Sequence, residues 1–211
     1  MRLVVATRSA HKLGEIRAIL RGVPGLELLD LNDAGVRPTA EEEDIERFET
    51  FEENALAKAR HFHTLSGLPV VADDSGICVD ALGGLPGVRS KRFCPGGELL
   101  TDEERDRANN EYLLRLLGDL DLAERKASYV CIAALVEGEG PPHLFEGKAS
   151  GLILGNARGK GGFGYDPLFF DPLEGKTFAE LSPAEKDARS HRGAAFRALA
   201  GHLIASRANK G

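Results

Sequence analysis

The sequence has few cysteines, no excess of positive charge and no long apolar run at its start. Its three cysteines, Cys78, Cys94 and Cys131, are widely spaced and odd in number. Neither a disulfide framework nor a zinc motif is therefore expected. The 211 residues include 33 acidic and 27 basic side chains, a net charge of −6. This balance argues against nonspecific binding to nucleic acid or to a membrane surface, and leaves room for a local basic pocket.

The N-terminus offers only four consecutive apolar residues, "LVVA" after Arg2. That run is too short for the core of a signal peptide and for a membrane span, so we expect a cytoplasmic protein without a membrane partner. No internal repeat, low-complexity tract or linker interrupts the sequence. The length suits a single domain over residues 1–211, and a hydrophobic fraction of 42% is enough for a core.

Apolar patterns along the chain predict an α/β fold with a mixed sheet. The predicted strands are 2–6, 25–31, 68–72, 127–138 and 143–154, the last two forming an antiparallel pair. The predicted helices are 9–22, 40–67, 101–120 and 181–206. Thr101 with Glu104, and Ser182 with Glu185, have the spacing of capping boxes, and Pro183 suits a first helical turn.

Two predicted strands end in polar residues, and ligands of open α/β sheets bind beyond the carboxyl ends of strands. After the first strand, "ATRSAHK" (6–12) offers hydroxyls, a lysine and the start of a helix, which suits phosphate. An ordinary capped helix explains this segment equally well. After the third strand, "ADDSG" (72–76) brings Asp73 and Asp74 together, as Mg²⁺ prefers; a solvated acidic turn is the alternative. Because side chains alternate along a strand, the two aspartates are expected to face different ways, one acting directly at the site and the other supporting it.

Two later segments also carry chemistry. In "GKGGFGYDP" (159–167), four glycines allow a ligand to approach the backbone, while two rings and a carboxylate suit a flat heterocycle. A hairpin with core aromatics is the alternative there. In "EKDARSHR" (185–192), Lys186 and His191 would face different ways on one continuous helix. If both contact one ligand, the helix must break near Ser190.

These segments together resemble the inosine/xanthosine triphosphate pyrophosphatase family, which hydrolyses non-standard purine nucleoside triphosphates. The matching pieces occur in the family's order over about residues 3–193: "ATRSAHK", "FEENALAKA", "ADDSGICVDALGGLPGVRSKRF", "GGFGYDPLF" and "AELSPAEKDARSHRG". The resemblance implies an elongated, mixed central sheet flanked by helices, two lobes with the active-site cleft between them, and a homodimer. It also implies Mg²⁺-dependent cleavage of ITP, dITP and XTP to monophosphate and pyrophosphate, which removes these nucleotides from the pool used for DNA and RNA.

The resemblance assigns roles to matching residues. Asp74 is the expected proton acceptor and metal ligand, Asp73 supports it, and Ser75 touches substrate. The family's metal-binding glutamate, upstream of "FEENA", falls on Glu41, Glu42 or Glu43, of which Glu42 is favoured. The residues matched to substrate contacts are Thr7, Arg8, Ser9, Ala10, His11 and Lys12 at the triphosphate, Phe163, Gly164, Tyr165 and Asp166 at the base, and Lys186, His191 and Arg192. The cations expected to offset the triphosphate are Lys12, Lys58 and Lys186, with Arg92 as a further candidate.

The base pocket must separate 6-oxo from 6-amino purines. Inosine and xanthosine present an acceptor at C6 and a donor at N1, and adenine presents the reverse. A pocket matched to the first pattern leaves buried groups unpaired with adenine, at about 1–3 kcal/mol per group. Asp166 is the hypothetical acceptor for N1–H, and a backbone N–H or His191 the donor. Two rival functions are a pyrophosphatase for modified pyrimidine nucleotides and a nucleotide sensor without turnover.

Overall fold

The computed structural model describes residues 1–208, apart from the side chains of Glu43 and Glu98. The strands are β1 (Arg2–Val5), β2 (Glu27–Leu29), β3 (Val70–Val79), β4 (Lys126–Val136), β5 (His143–Ile153), β6 (Phe169–Asp171) and β7 (Lys176–Thr177). The α-helices are α1 (Ala10–Leu20), α2 (Phe51–Ser66), α3 (Asp102–Leu117), α4 (Pro183–Arg189) and α5 (His191–Ala208). Within the described range, none of the helices has the length and apolar character needed to cross a bilayer.

The strands form one seven-stranded sheet in the order β2-β1-β3-β4-β5-β6-β7. β1 pairs in parallel with both β2 and β3. At the other end of the sheet, β6 pairs antiparallel with β5 and with β7. The predicted α/β class, with a mixed sheet flanked by helices, is confirmed.

The chain divides into two compact units. The first consists of Met1–Asp74, Cys131–Gly147 and the chain from His191 onward, and the second of Ser75–Val130 and Lys148–Ser190. Strands β3, β4 and β5 contribute residues to both units. The single domain over residues 1–211 and the cleft between two lobes stay predictions.

Side-chain alternation along β3 separates two apolar cores in the first unit. Val71 belongs to a core that also contains Phe196 of α5. Its neighbours Val70 and Ala72 belong to the other core, with Phe62 of α2. Because the strand continues beyond Ala72, the residues that follow it must alternate between the same two faces.

The second unit has its own core, rich in aromatic rings. Leu113 and Leu117 of α3 pack with Ile77 of β3 in a cluster that also contains Tyr129 and Phe169. The rings of Tyr129 and Phe169 lie 4.7 Å apart between centroids. This core fixes α3 beside the glycine-rich segment that follows β5.

The structure corrects two predicted boundaries. β3 runs to Val79 rather than ending at Ala72, so Asp73 and Asp74 lie within the strand and not after it. The predicted helix 40–67 begins only at Phe51, and residues Ala40–Asp44 form a short 3-10 helix. The cause is local capping, because the Thr50 side chain accepts a hydrogen bond from the N–H of Glu53 and starts the helix there.

The predicted helix 181–206 is divided in two, at the position where a ligand shared by Lys186 and His191 would require a break. α4 ends at Arg189, and Ser190 has extended backbone (φ −76°, ψ 155°) before α5 begins at His191. The predicted capping box is present, since Ser182 Oγ accepts from the N–H of Glu185 while the Glu185 carboxylate accepts from the N–H of Ser182. The predicted box of Thr101 and Glu104 also caps α3.

Candidate active site

The two neighbouring aspartates of β3 face opposite sides of the sheet. Asp73 shares the face of Val71, where its Oδ2 lies 3.1 Å from Lys12 Nζ of α1. Asp74 shares the face covered by α2, where the Asn54 side chain donates a hydrogen bond to it and Lys58 lies within electrostatic reach. Strand alternation thus gives the two carboxylates different surroundings, as predicted for a leading and a supporting residue.

Asp73 anchors a buried ion-pair network. Arg192 of α5 donates to Asp73 Oδ2 from Nε at 3.3 Å and from Nη2 at 3.1 Å, and its Nη1 donates to Glu15 Oε2 at 2.6 Å. The Arg192 side chain is only 2% exposed. Burial alone would raise the pKa of Asp73, but the charges of Lys12 and Arg192 outweigh it and hold that pKa far below the usual range. Asp73 therefore stays ionised and ties α1 and α5 to β3.

Asp74 has the opposite protonation behaviour. Burial raises its pKa to about 6, against the lowering effect of Lys12 and Lys58 and with a further raising contribution from the charge of Glu46. A carboxylate with a pKa close to neutrality can accept a proton and release it again during a reaction. A buried acid among cations with a strongly shifted pKa is also typical of catalytic positions.

Glu46 joins this cluster although the sequence did not single it out. Its carboxylate forms an ion pair with Lys58. Burial would raise the pKa of Glu46, but Lys58 and Lys12 lower it overall. For Lys58, burial opposes the charged form, yet the charges of Glu46, Asp73 and Asp74 raise its pKa. Glu46, Lys58, Lys12 and Asp74 thus form one interacting set of charges.

Glu42, the favoured metal ligand, contacts Arg8 instead. Arg8 Nη2 lies 2.7 Å from Glu42 Oε1, and Arg8 Nε lies 3.0 Å from Oε2. This bidentate contact lowers the pKa of Glu42, against a smaller raising effect of burial. Glu41 is exposed, and the side chain of Glu43 lies outside the described residues. A metal ligand among these three stays a prediction.

The segment predicted to hold the triphosphate forms the start of α1. Ser9 is the N-cap residue, and its side chain accepts from the N–H of Lys12 at 3.4 Å. The N–H of Ser9 in turn donates to Thr7 Oγ1 at 3.1 Å. Ala10 and His11, in the first turn, are exposed. The positive end of the helix and the Lys12 ammonium therefore lie on the same short segment, an arrangement that favours anions.

In the second unit, Asp166 organises the glycine-rich loop. Its Oδ2 accepts from the N–H of Phe163 at 2.9 Å and from Lys186 Nζ at 2.6 Å. The Lys186 ammonium lies 4.8 Å from the centroid of the Phe163 ring. Gly162 has a φ of +70°, and a Cβ at this position would overlap the Asp166 carboxylate. Glycine is thus required where the loop closes around Asp166.

Tyr165 and Gly164 are held from neighbouring segments. Tyr165 is buried, and its hydroxyl donates to the carbonyl of Ser90 at 2.8 Å. Asp106 Oδ2 of α3 accepts from the N–H of Gly164 at 2.6 Å, and Asn110 Nδ2 donates to the Gly164 carbonyl at 2.8 Å. Asp106 and Asn110, one helical turn apart, thus hold the backbone N–H and the carbonyl of Gly164. Sequence reasoning missed both, because nothing in the local pattern of α3 marks them.

Asp106→Ala is expected to loosen this loop. The change removes the acceptor of the Gly164 N–H and costs about 1–2 kcal/mol of unfolding free energy, the usual range for a lost hydrogen bond at a half-buried site. Hydrogen exchange of a peptide covering residues 159–168 is expected to become faster. The control is Glu103→Ala, an exposed acid on the same helix. Unchanged exchange in Asp106→Ala would mean that this carboxylate does not hold the loop.

The remaining predicted residues have the following positions. Ser75 follows Asp74 in β3 and is half-buried, and His191 is buried at the first position of α5. Arg92 is exposed at the end of a 3-10 helix spanning Gly87–Arg92. The first unit contains Thr7 to Lys12, Lys58, Asp73, Asp74, His191 and Arg192, and the second contains Ser75, Phe163 to Asp166 and Lys186.

Comparison with known proteins gives one consistent result. Residues 3–202 match the model of the Ham1 family. A protein from Geobacter sulfurreducens named dITP/XTP pyrophosphatase is 49% identical over 202 residues, which cover 96% of this chain and 96% of that protein. A protein of the same name from Frankia alni is 50% identical over 202 residues, which cover 95% of this chain and 96% of that protein. A HAM1 protein structure from Coxiella burnetii aligns with a TM-score of 0.82 at 37% identity, over 96% of this chain and 98% of its own. The resemblance drawn from the sequence motifs is confirmed: this chain belongs to the Ham1 family.

Proposed function

We propose that this protein hydrolyses non-standard purine nucleoside triphosphates, among them ITP, dITP and XTP, to the monophosphate and pyrophosphate. The observation that carries the proposal is Asp74, a buried carboxylate whose pKa lies at about 6 among Lys12, Lys58 and Glu46. The names of the Geobacter and Frankia relatives, dITP/XTP pyrophosphatases, support the substrate class. Such an activity would keep hypoxanthine and xanthine out of DNA and RNA.

The proposed chemistry assigns one task to each group of residues. Asp74 accepts a proton from the water that attacks the α-phosphorus, because a carboxyl whose pKa lies at about 6 without metal, and would lie lower beside a cation, is ionised at neutral pH. Lys12 and Lys58 offset the charge of the triphosphate, because phosphoryl transfer depends chiefly on positioning and electrostatic stabilisation. The capped start of α1, residues 7–12, offers N–H groups and a positive helix end to the phosphates.

The carboxylates around Asp74 suit Mg²⁺, which prefers oxygen ligands. The carboxylates of Asp74 and Glu46 repel each other, since the negative charge of Glu46 raises the pKa of Asp74. A divalent cation between such groups would relieve that repulsion. Both glutamates already form an ion pair, Glu46 with Lys58 and Glu42 with Arg8. We assign the metal to Asp74 and Glu46 rather than to Glu42 because the charge of Glu46 acts on Asp74. When bound, Mg²⁺ would neutralise phosphate charge and orient the phosphate oxygens.

The loop around Phe163 is the proposed binding segment for the base. The Phe163 ring and the Lys186 ammonium supply a flat apolar face and a donor, and Asp166 holds both in place. Asp166 remains the hypothetical acceptor for N1–H of the purine, and His191 a hypothetical donor to O6. Contacts from Tyr165 and Arg192 to substrate remain proposals as well. The homodimer and the cytoplasmic location stay predictions.

A panel of triphosphates, with release of pyrophosphate as the readout, tests the proposed function. We expect ITP, dITP and XTP to be cleaved with much higher kcat/KM than ATP or dUTP, and only when Mg²⁺ is present. Preference for modified pyrimidine triphosphates would favour the first rival function, and tight ITP binding without turnover would favour the second. Either result would overturn the proposal.

Glu46→Gln is expected to raise the Mg²⁺ concentration that is required for ITP cleavage. Glu42→Gln, its control, is expected to leave that concentration nearly unchanged.

A further inference from the structure

Three potential metal ligands meet in the first unit outside the proposed active site. They are Glu137, His143 and His202, each offering one ligand atom, and these atoms all lie within 4.8 Å of one another. The rings of His143 and His202 have their centroids 4.3 Å apart. Neither the family resemblance nor the proposed reaction uses any of the three. We propose that they form a second metal site, for a divalent transition-metal ion of the zinc class.

The backbone brings the three ligands together from separate elements. Glu137 directly follows β4, and His143 is the first residue of β5, the neighbouring strand in the sheet. His202 lies in α5, which packs against β5, since its ring centroid is 5.4 Å from that of Phe145. Rigid elements with a common core therefore hold the side chains near one another without any metal, which lowers the cost of ordering them on binding.

The distances fit a zinc-class ion after small side-chain movements. Zinc bonds of about 2.0–2.1 Å in a tetrahedral site place ligand atoms about 3.3 Å apart. The present separations of up to 4.8 Å must therefore close by about 1.5 Å or less. Glu137 and His143 are exposed, so their side chains can rotate without repacking the core. Three protein ligands leave a fourth position for water.

The ligand types select the ion. Imidazole nitrogens bind zinc, copper and nickel well, whereas Mg²⁺ prefers oxygen ligands and is bound poorly by histidine. A residue that could support the site is also present, because Ser206 Oγ lies 3.4 Å from His202 Nε2, four positions further along α5. A hydrogen bond between these atoms would orient the ring and leave Nδ1 of His202 available to the ion.

The test is zinc binding to the intact protein in the presence of excess Mg²⁺, which occupies carboxylate sites. We expect one equivalent of Zn²⁺ at micromolar concentration and a rise in Tm, because an ion that binds only the folded state stabilises it. His143→Gln and His202→Gln are each expected to weaken Zn²⁺ binding at least about tenfold and to abolish the rise in Tm. Glu137→Gln should weaken binding too, whereas Glu139→Gln, an exposed acid in the same turn, should not.

Circular dichroism and Tm in chelator show whether each variant folds, and His143→Gln, at an exposed position, remains informative if a change in α5 is not tolerated. Three results would overturn the site. One is no Zn²⁺ uptake by the unaltered protein at micromolar concentration. The second is uptake that persists unchanged in both histidine variants. The third is equal weakening by Glu139→Gln. Failure here would leave the proposed function untouched, since no step of that reaction uses these residues.

Discussion

Replacing Asp74 with asparagine is expected to lower kcat on ITP by about 10²–10⁴-fold, the usual contribution of a positioned general base. The same change is expected to make the protein more stable in metal-free buffer at pH 8. Asp74 is 7% exposed, and burial raises its pKa to about 6, whereas an unfolded aspartate has a pKa of about 3.9. Loss of activity together with a gain in stability separates a catalytic role from a structural one.

The sign of the pH dependence follows from the raised pKa. The folded state favours the protonated acid, so the contribution of Asp74 to stability is fully present below about pH 4 and is lost as the pH rises through 6. Above that pH the ionised carboxylate costs about 3 kcal/mol, from a shift of about two pKa units. Asparagine imitates the protonated form and avoids this cost.

Unfolding by urea at pH 8 and at pH 4, with and without Mg²⁺, measures this effect. At pH 8 in chelator, the free energy of unfolding of Asp74→Asn should be larger than that of the unaltered protein. The difference between the two should shrink at pH 4. Excess Mg²⁺ should also shrink it, because the metal would stabilise the unaltered protein. The control is Asp119→Asn, at an exposed position. Retained activity, or a loss of stability at pH 8 in chelator, would remove Asp74 from its proposed role.

Replacing Arg192 with methionine is expected to cost about 3–5 kcal/mol of unfolding free energy, the range for breaking a buried ion pair from one side. Its guanidinium contacts both Asp73 and Glu15 and is 2% exposed. Methionine fills much of the same space but leaves Asp73 with reduced compensation for its buried charge. Lys12 still contacts that carboxylate, so we expect weakened folding rather than complete unfolding.

Denaturant unfolding of a small set of variants measures this cost. Arg197→Met, at an exposed arginine on the same helix, should cost no more than about 1 kcal/mol, the usual limit for a contact of an exposed charge. In the double variant Asp73→Asn with Arg192→Met, the loss should be smaller than the sum of the two single losses, since residues in contact are coupled. Additive losses, or a cost for Arg192→Met as small as that of Arg197→Met, would show that the network does not stabilise the fold.

Local features of the structure were predictable where their causes are local. The caps at Ser182 and Thr101 depend on residues three positions away, and both capping boxes form as expected. The helix break at Ser190 was expected only on the condition that Lys186 and His191 contact one ligand, since the two would face different ways on a continuous helix, and the break is present. The separation of Asp73 from Asp74 follows from strand alternation alone, even though the predicted end of β3 was wrong.

Features that depend on distant contacts could not be read from the sequence. Glu15 and Arg192 are 177 positions apart, and no local pattern pairs them. Glu46 lies in the segment between the 3-10 helix and α2, where the apolar spacing wrongly predicted helix. Its partner Lys58 is 12 positions away, and no local pattern pairs the two residues. Asp106 and Asn110 contact the backbone of Gly164 in the glycine-rich loop, and the sequence of α3 contains no pattern that predicts such contacts.

Hydrolysis of ITP in ¹⁸O-labelled water, followed by mass analysis of both products, tests most directly whether Asp74 and its lysines direct water to the α-phosphorus. The label is predicted to appear in inosine monophosphate, with pyrophosphate unlabelled. Label in pyrophosphate, or release of inorganic phosphate with inosine diphosphate, would place the attack at another phosphorus and contradict the account.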